Sequence, residues 1–314
     1  MSAEVLVTGA TGFIGSRLMR EGYRALVKKN TYQKNEVVGD LMDVPSLMKA
    51  CKGIRTVYHC AGYAHAHRGQ DEKKCLDINH IGTRNLLEAA RVCGVETFIF
   101  LSSVKVMSEN TDAPVDETSP CNPLTTYGKS KFLAEQEVLE FGQKTSANVI
   151  NLRLAAVYGS GGKGNLERMA RGISTGWFPV IPKITNLRSI VHVDDVVNAV
   201  EIVRNCNGAR NQTFIVADPV PYSTRQIYDA IRSALFKREA KNGVPMGLWR
   251  ASAAVGDFFQ RVTPFSSPLN SETLDKLFSS AVFTSNKLTE YTGWEASLPL
   301  ADGVREMVND LIGC

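Results

Sequence analysis

Val5-Leu6-Val7-Thr8-Gly9-Ala10-Thr11-Gly12-Phe13-Ile14-Gly15 is the stretch whose reading decides the fold. A β-branched apolar run breaks into glycines at three-residue spacing and resumes as Ser16-Arg17-Leu18-Met19. This reads as a buried strand, a tight turn and the start of a helix. A dinucleotide pyrophosphate fits at such a turn. A phosphate must approach backbone that a Cβ would shield, and the helix N-terminus offers unpaired N–H groups and the positive end of its dipole. The rival reading is a strand-to-helix turn that holds no ligand.

Working outward, the next pieces alternate. A helix over 16–21 ends at Gly22, and strands follow over 23–27 and over 37–41, the latter carrying Gly39-Asp40-Leu41. The helix is about one turn short for this kind of unit. A helix over 44–51 precedes a strand from Thr56 that runs into Cys60-Ala61-Gly62, small residues against which a flat cofactor can lie. An amphipathic helix over 76–93, a strand over 97–101 capped by Ser102-Ser103, a helix from Tyr127 through Glu140 and a strand over 149–154 complete the first half. Strands alternating with helices predict an α/β fold, a doubly wound parallel sheet of Rossmann type. Residues 1–158 are expected to form the dinucleotide-binding domain, completed by a strand near 213–217. Residues 159–314 are expected to form mainly a smaller α/β substrate lobe interleaved with it. Within that lobe, Leu248 to Phe259 reads as a helix packed on the lobe, the rival being a membrane-surface helix, disfavoured because the polar face lacks a basic cluster.

Composition narrows the classes. With 44% hydrophobic and 22% charged residues the chain is ordinary for a globular protein that buries a sizeable core. Its net charge of +4 is spread along the sequence, so no basic stripe points to nucleic acid, and a small anionic ligand suffices to explain it. The seven cysteines are odd in number and contain no C-x-x-C pair, which fits reduced thiols and argues against a metal site. No apolar run reaches the ~18 residues of a membrane span and no signal segment opens the chain, so a cytoplasmic protein is expected.

The chemistry-bearing residues are Ser103, Tyr127 and Lys131. Tyr127 and Lys131 stand at i and i+4 and share a helix face. An ammonium close to a phenol favours the phenolate, which brings its pKa down from ~10 and makes it a usable acid and base. Ser103 is placed to hold the oxygen whose proton moves. Taken alone, Y-x-x-x-K is a common surface pair; behind a phosphate-binding turn and a serine pair at a strand end it carries weight. His65 and His67 follow the fourth strand, where a solvated loop and a sugar contact are the two readings, while His59 and His192 read as structural.

Together, Gly9 to Gly15, Gly39-Asp40-Leu41, His59-Cys60-Ala61-Gly62, Asp77-Ile78-Asn79, Phe100-Leu101-Ser102-Ser103, Tyr127 to Lys131 and Asn186 to Asp195 resemble the extended short-chain dehydrogenase/reductases. The likeness is to their nucleotide-sugar branch, the UDP-glucose 4-epimerases and 4-keto-sugar reductases. The resemblance implies that Tyr127 is the general acid/base, that Ser103 orients the sugar oxygen, and that Lys131 holds the nicotinamide ribose. It further implies that Gly9, Gly12, Phe13, Ile14, Gly15, Cys60, Ala61, Gly62 and Asn79 line the cofactor, with Asp40 and Leu41 at its adenine. Asn165 and Arg188 match positions that contact the diphosphate of a UDP-sugar, and an arginine fork suits phosphate oxygens. A homodimer is also implied.

Two departures matter. Dehydratases of this branch carry Asp-Glu where this chain has Val104-Lys105, which disfavours dehydration. Many epimerases carry Asn where this chain has Ala156, which removes one diphosphate contact. Selectivity for NAD needs a carboxylate about 20 residues past the first glycine. There the chain has Lys28 and Lys29, two ammonium groups suited to a 2′-phosphate, so NADP is favoured over NAD and 4-keto reduction slightly over 4-epimerisation. A binding-only NADP sensor would need the phosphate turn but not Ser103, Tyr127 and Lys131 in register.

Overall fold

In the computed structural model, which describes residues 4–31, 34–64, 70–108, 110–111, 113–237, 240, 242–262 and 270–313, seven parallel strands form one sheet. The chain runs β1 Val5–Thr8, α1 Phe13–Leu18, β2 Arg24–Val27, β3 Glu36–Val38, α2 Val44–Cys51, β4 Thr56–His59, α3 Gln70–Leu76, α4 Gly82–Cys93, β5 Thr97–Ser103, α5 Thr126–Lys144 and β6 Asn148–Leu154. It continues with β7 Ala156–Tyr158, α6 Asn165–Ser174, β8 Ile190–His192, α7 Val193–Asn205, β9 Gln212–Val216, α8 Thr224–Ala234, α9 Met246–Val262, α10 Ser271–Phe278, α11 Asn286–Thr292 and α12 Leu300–Ile312. The sheet order β3-β2-β1-β4-β5-β6-β9 reverses direction between β1 and β4, the crevice where doubly wound sheets take their ligands. β1, β4 and β6 are buried throughout, as strands covered on both faces are, although β6 carries Asn148, Asn151 and Arg153 among its apolar residues and β4 ends in His59.

Helices cover both faces. On one, Val196, Ala199, Val200 and Val203 of α7 join Val5 and Val7 of β1 and Ile99 and Leu101 of β5 in a single core. On the other, α2, α4 and α5 pack through Leu47, Leu86, Leu87, Ala134 and Val138. A third core belongs to the second half, where Met169, Ile173, Tyr228, Ile231, Trp249, Val304 and Met307 draw α6, α8, α9 and α12 together beside the two-stranded β7-β8 sheet. Arg17 of α1 ties the halves: its guanidinium donates to Asp194 Oδ1 at 2.7 Å, Glu306 Oε1 at 3.3 Å and Ser160 O at 2.9 Å.

The departures from expectation have physical causes. The first helix starts at Phe13, inside the glycine turn, and Met19 is already extended. It is six residues long, ending where Met19 turns extended, and Gly22, at φ +84°, then lies in the turn that leads into β2. The single helix expected over 76–93 begins earlier and is broken by a π-helical turn at Asp77–Ile81. The strand over 37–41 ends at Val38, the fourth strand stops at His59, and Ser102 and Ser103 lie inside β5, opposite Arg153 and Leu154 of β6. The short strand β7 has no counterpart in the sequence reading.

Candidate active site

The glycine turn is built by contact with β4. Gly9 takes φ +67°, and a Cβ there would stand 2.8 Å from Ala61 N; a Cβ on Gly15 would stand 2.2 Å from Gly9 O, and one on Gly12 3.1 Å from the same oxygen. Gly12 N donates to Gly9 O at 2.8 Å. The turn thus leaves bare backbone at the mouth of the crevice, with Phe13 and Ile14 opening α1 above it, as a dinucleotide requires.

Beneath it runs a fully buried polar chain. Ala61 N donates to Thr8 Oγ1 at 3.2 Å, and Thr8 pairs with His59 Nδ1 at 2.7 Å; His59 Nε2 pairs with Thr83 Oγ1 at 2.8 Å, and Thr83 donates to Asn79 O at 2.6 Å. These roles are mutually consistent only if the Thr8 hydroxyl donates to Nδ1 and the Nε2–H donates to Thr83, so the imidazole is neutral. Burial first, and then Lys131, lowers the His59 pKa to about 3. His59 is structural, as expected. Asn79 continues the chain: its Oδ1 accepts from Tyr63 N at 2.7 Å, and its Nδ2 donates to Tyr63 O at 3.0 Å and to Ser130 Oγ at 2.9 Å. Ser130 in turn donates to Tyr127 O at 2.8 Å. The π-helical turn lies where Asn79 makes these bonds, a common place for such turns at functional sites.

α5 is docked by its first turn. The Thr125 side chain caps Gly128 N at 3.2 Å, and a Cβ on Gly128 would stand 2.4 Å from Lys105 O, so the helix start lies hard against the turn that follows β5. Tyr127, Lys131 and Glu135 then fall on one inward face at four-residue spacing. Ser103, buried at the end of β5, accepts from Lys105 N at 3.3 Å and hydrogen-bonds the Tyr127 phenol. Lys131 Nζ donates to Leu101 O at 2.8 Å and sits 4.5 Å over the Phe100 ring; a Cβ on Gly62 would stand 3.3 Å from it. Glu135 is held by Arg153 in a buried pair, with Arg153 Nη2 2.7 Å from Glu135 Oε2.

The electrostatics differ from the expected ones. Burial pushes Tyr127 up to about 12, outweighing the Ser103 hydrogen bond that holds it down. Burial also brings Lys131 down to about 8, against the pull of Cys60, Glu135 and Cys75. The expected lowering of the phenol by the ammonium is not found: the one group that lowers Tyr127 is the Ser103 hydroxyl, and desolvation, with Cys75, outweighs it. A half-buried protonated phenol beside a serine hydroxyl is an acid ready to donate to a ketone oxygen; it serves as a base only as the phenolate, once something stabilises that anion.

Asp40 lies at the far end of the cleft, past β3. Its Oδ1 accepts from Met42 N at 2.9 Å and its Oδ2 stands 3.5 Å from Lys28 Nζ. Leu41 is buried beneath, against the Gly82 position. Lys28, one of the two cations assigned to a 2′-phosphate, is thus already paired with a carboxylate that linear spacing could not assign to it; Lys29 is exposed. Cys60 is half-buried, its thiol pushed up to about 12 by burial. On the second lobe, Asn165 is exposed as the first residue of α6, and Arg188 Nη1 donates to Ser279 O at 3.0 Å. His65 and His67 lie outside the described residues.

Thr83, Ser130 and the Glu135–Arg153 pair were not singled out by sequence reasoning. For Ser130 and Glu135 a signal exists, since both lie within two helical turns of Tyr127 on α5; for Thr83 and Arg153 there is none short of the fold.

Among the described residues no helix is long and apolar enough to cross a membrane. The family model described as "NAD dependent epimerase/dehydratase family" matches residues 5–217. The chain is 27% identical to the N-acetyl-alpha-D-glucosaminyl-diphospho-ditrans,octacis-undecaprenol 4-epimerase of Escherichia coli O157:H7, covering 97% of this chain and 94% of that protein. It is 28% identical to the UDP-glucose 4-epimerase of Vibrio cholerae, covering 98% and 94%. Among solved structures, gox2253 superposes with a TM-score of 0.78 at 25% identity over 99% of this chain and 98% of that one. MoeE5 in complex with UDP-glucuronic acid and NAD superposes at 0.79, with 23% identity over 99% of both chains, a likeness of fold. A glycine cradle that no Cβ could enter, a serine, phenol and ammonium at the ends of β5 and α5, and a family match over two thirds of the sequence agree: the chain belongs to the NAD-dependent epimerase/dehydratase family, enzymes of the extended short-chain dehydrogenase/reductase type that work with NAD or NADP.

Proposed function

We propose that this enzyme inverts the configuration at C4 of a hexose or acetamido-hexose carried on a diphosphate. Support comes first from one observation, the Ser103–Tyr127 hydrogen bond at the open end of β5, with Lys131 buried behind it on the same helix. Gly9, Gly12 and Gly15 would hold the pyrophosphate of the cofactor, Lys131 and Asn79 its nicotinamide half, and Asp40 and Leu41 its adenine end. A bound nicotinamide supplies a hydride acceptor and donor. For the oxidation half Tyr127 must be the phenolate: it takes the proton of the 4-hydroxyl and, once the keto-sugar has turned over so that hydride returns to its opposite face, gives that proton back to the ketone oxygen, while Ser103 keeps that oxygen in line. Asn165 and Arg188 are the proposed diphosphate contacts.

Epimerisation is set ahead of net reduction on the two relatives; the exposed Lys28–Asp40 contact, screened by solvent, adds little to that choice. The relatives from Escherichia coli and Vibrio cholerae are both 4-epimerases. A second reading, 4-keto reduction with NADPH, draws on the exposed Lys29 beside Lys28. Incubation with UDP-GlcNAc and UDP-glucose without added cofactor tests the first: appearance of the C4 epimer is expected, and NADPH consumption confined to a UDP-4-keto-6-deoxy sugar would replace it with the second. The carrier beyond the diphosphate differs between the two relatives' substrates, a nucleoside in one and an undecaprenyl lipid in the other. Both carriers are compatible with the same sugar chemistry.

A further inference from the structure

Ser279 stands where three parts of the chain meet. It closes α10, its N–H donating to Asp275 O at 2.8 Å, and its carbonyl accepts from two side chains of the second lobe, Asn186 Nδ2 at 3.2 Å and Arg188 Nη1 at 3.0 Å. Its hydroxyl bridges the same arginine to the first half of the chain: the Oγ accepts from Arg188 Nη1 at 3.5 Å and donates to Asn110 Oδ1 at 2.7 Å. A serine hydroxyl has one hydrogen, so giving it to Asn110 turns a lone pair toward the guanidinium. Two acceptors on one nitrogen then fix the plane of the fork, the property on which a bidentate phosphate contact depends.

Asn110 follows Ser103 along the loop that leads from β5 to α5. The Ser108 hydroxyl holds it there, accepting from Asn110 N at 3.2 Å and donating to Asn110 O at 2.6 Å. The segment after Ser279 zips the same loop to the second lobe. On one side Thr111 N donates to Ser280 O at 2.9 Å and Val115 N to Val282 O at 3.0 Å; on the other Ala281 N donates to Leu187 O at 2.8 Å and Ser189 N to Ala281 O at 2.9 Å. Arg188, whose backbone also pairs both ways with Tyr222, is therefore tied through a few short bonds to the loop that joins the serine strand to the tyrosine helix.

We propose that Ser279 is a positioning residue for Arg188: its hydroxyl, oriented by Asn110, holds the guanidinium ready for the diphosphate of the substrate. The hydroxyl touches no reacting atom and acts through the arginine. A long side chain loses rotamer freedom when it takes a ligand, and holding it beforehand removes that cost from binding. The ligand rests on the reading of Arg188 as the diphosphate contact; the anchoring of the guanidinium does not.

The test is a double-mutant cycle on the full chain, read by calorimetric titration with UDP and by initial rates with UDP-GlcNAc. Ser279→Ala is expected to weaken UDP ~5-fold and to raise KM by a similar factor with kcat nearly unchanged, the scale of one hydrogen bond. Arg188→Ala/Ser279→Ala should bind UDP no worse than Arg188→Ala alone, because the hydroxyl acts only through the guanidinium. Ser279→Thr, which keeps the hydroxyl, should restore the affinity. Should Ser279→Ala fail to fold, Asn110→Ala decides: it removes the acceptor that orients the hydroxyl, and should weaken UDP when Arg188 is present and have no effect beside Arg188→Ala. Additive losses in the cycle, an unchanged affinity in Ser279→Ala or Asn110→Ala, or a loss that Ser279→Thr shares overturns the proposal. UDP bound as expected with UDP-GlcNAc left unturned would sink the C4 chemistry alone. Turnover with a UDP affinity indifferent to Ser279 would sink the positioning alone, and a wild type that does not bind UDP would overturn the diphosphate contact and the proposal together.

Discussion

The floor of the crevice and the second lobe are built by opposite rules. Under Tyr127, the side chains of Thr8, His59, Thr83, Asn79 and Ser130 are buried, and the Thr8–His59, His59–Thr83 and Asn79–Ser130 bonds each fix one backbone segment against another, while Thr83 and Ser130 also bond back to carbonyls of their own helices. On the second lobe, Asn165 is exposed, Arg188 leans on a backbone carbonyl, and α9 leaves an apolar stripe open. Proton transfer tolerates little displacement, so its groups sit on a rigid satisfied network; recognition of a carrier needs a surface the carrier can reach.

The contrast can be broken most directly at Tyr127. Tyr127→Phe should lower turnover at least ~100-fold with cofactor binding unchanged, the scale of losing a general acid/base; wild-type rates in a steady-state assay would remove the phenol from the chemistry. Gly15→Ala comes next, because its Cβ meets Gly9 O at 2.2 Å. The turn must open, and cofactor titration should show at least ~10-fold weaker binding with about 1–3 kcal/mol of stability lost in urea unfolding. If the lobe contacts are recognition alone, Arg188→Ala should raise KM by roughly 10-fold with kcat nearly unchanged, a split that initial-rate kinetics resolves.

The floor also predicts a pH dependence. His59 is held neutral down to about 3 in the fold, whereas an ordinary imidazole protonates near 6.5. Between those values the unfolded chain binds a proton that the native chain refuses. Stability is therefore complete above 6.5 and falls with acidification by about 1.4 kcal/mol per pH unit. Urea unfolding from pH 7 to pH 5 should show that slope in the wild type and a shallower one in His59→Asn. The smallest effect is expected for Ser130→Ala, about 1 kcal/mol for a buried hydrogen bond, with Asn79 left to bind Tyr63 and the Cys75 sulfur.

Much of the site was legible because its signals are local. Gly9, Gly12 and Gly15 announce a backbone that must approach something, and the four-residue step from Tyr127 to Lys131 announces a shared face. The boundary errors came from long-range contacts: β4 ends early because Gly9 stands against Ala61, and the helix toward Cys93 is broken where Asn79 reaches Tyr63 and Ser130. The Lys28 contact with Asp40 was not legible, because Asp40 comes from the turn that follows the next strand.

By itself, then, the sequence determined the alternation of strands and helices, the glycine turn and the phenol-ammonium pair, since periodicity and fixed spacing act within a few residues. Only the tertiary structure decided how those groups are charged and which of them are already engaged. Desolvation raises Tyr127 and lowers Lys131, Asp40 takes Lys28, and one face of α9 is buried while the other is left open; each of these depends on neighbours brought from distant parts of the chain.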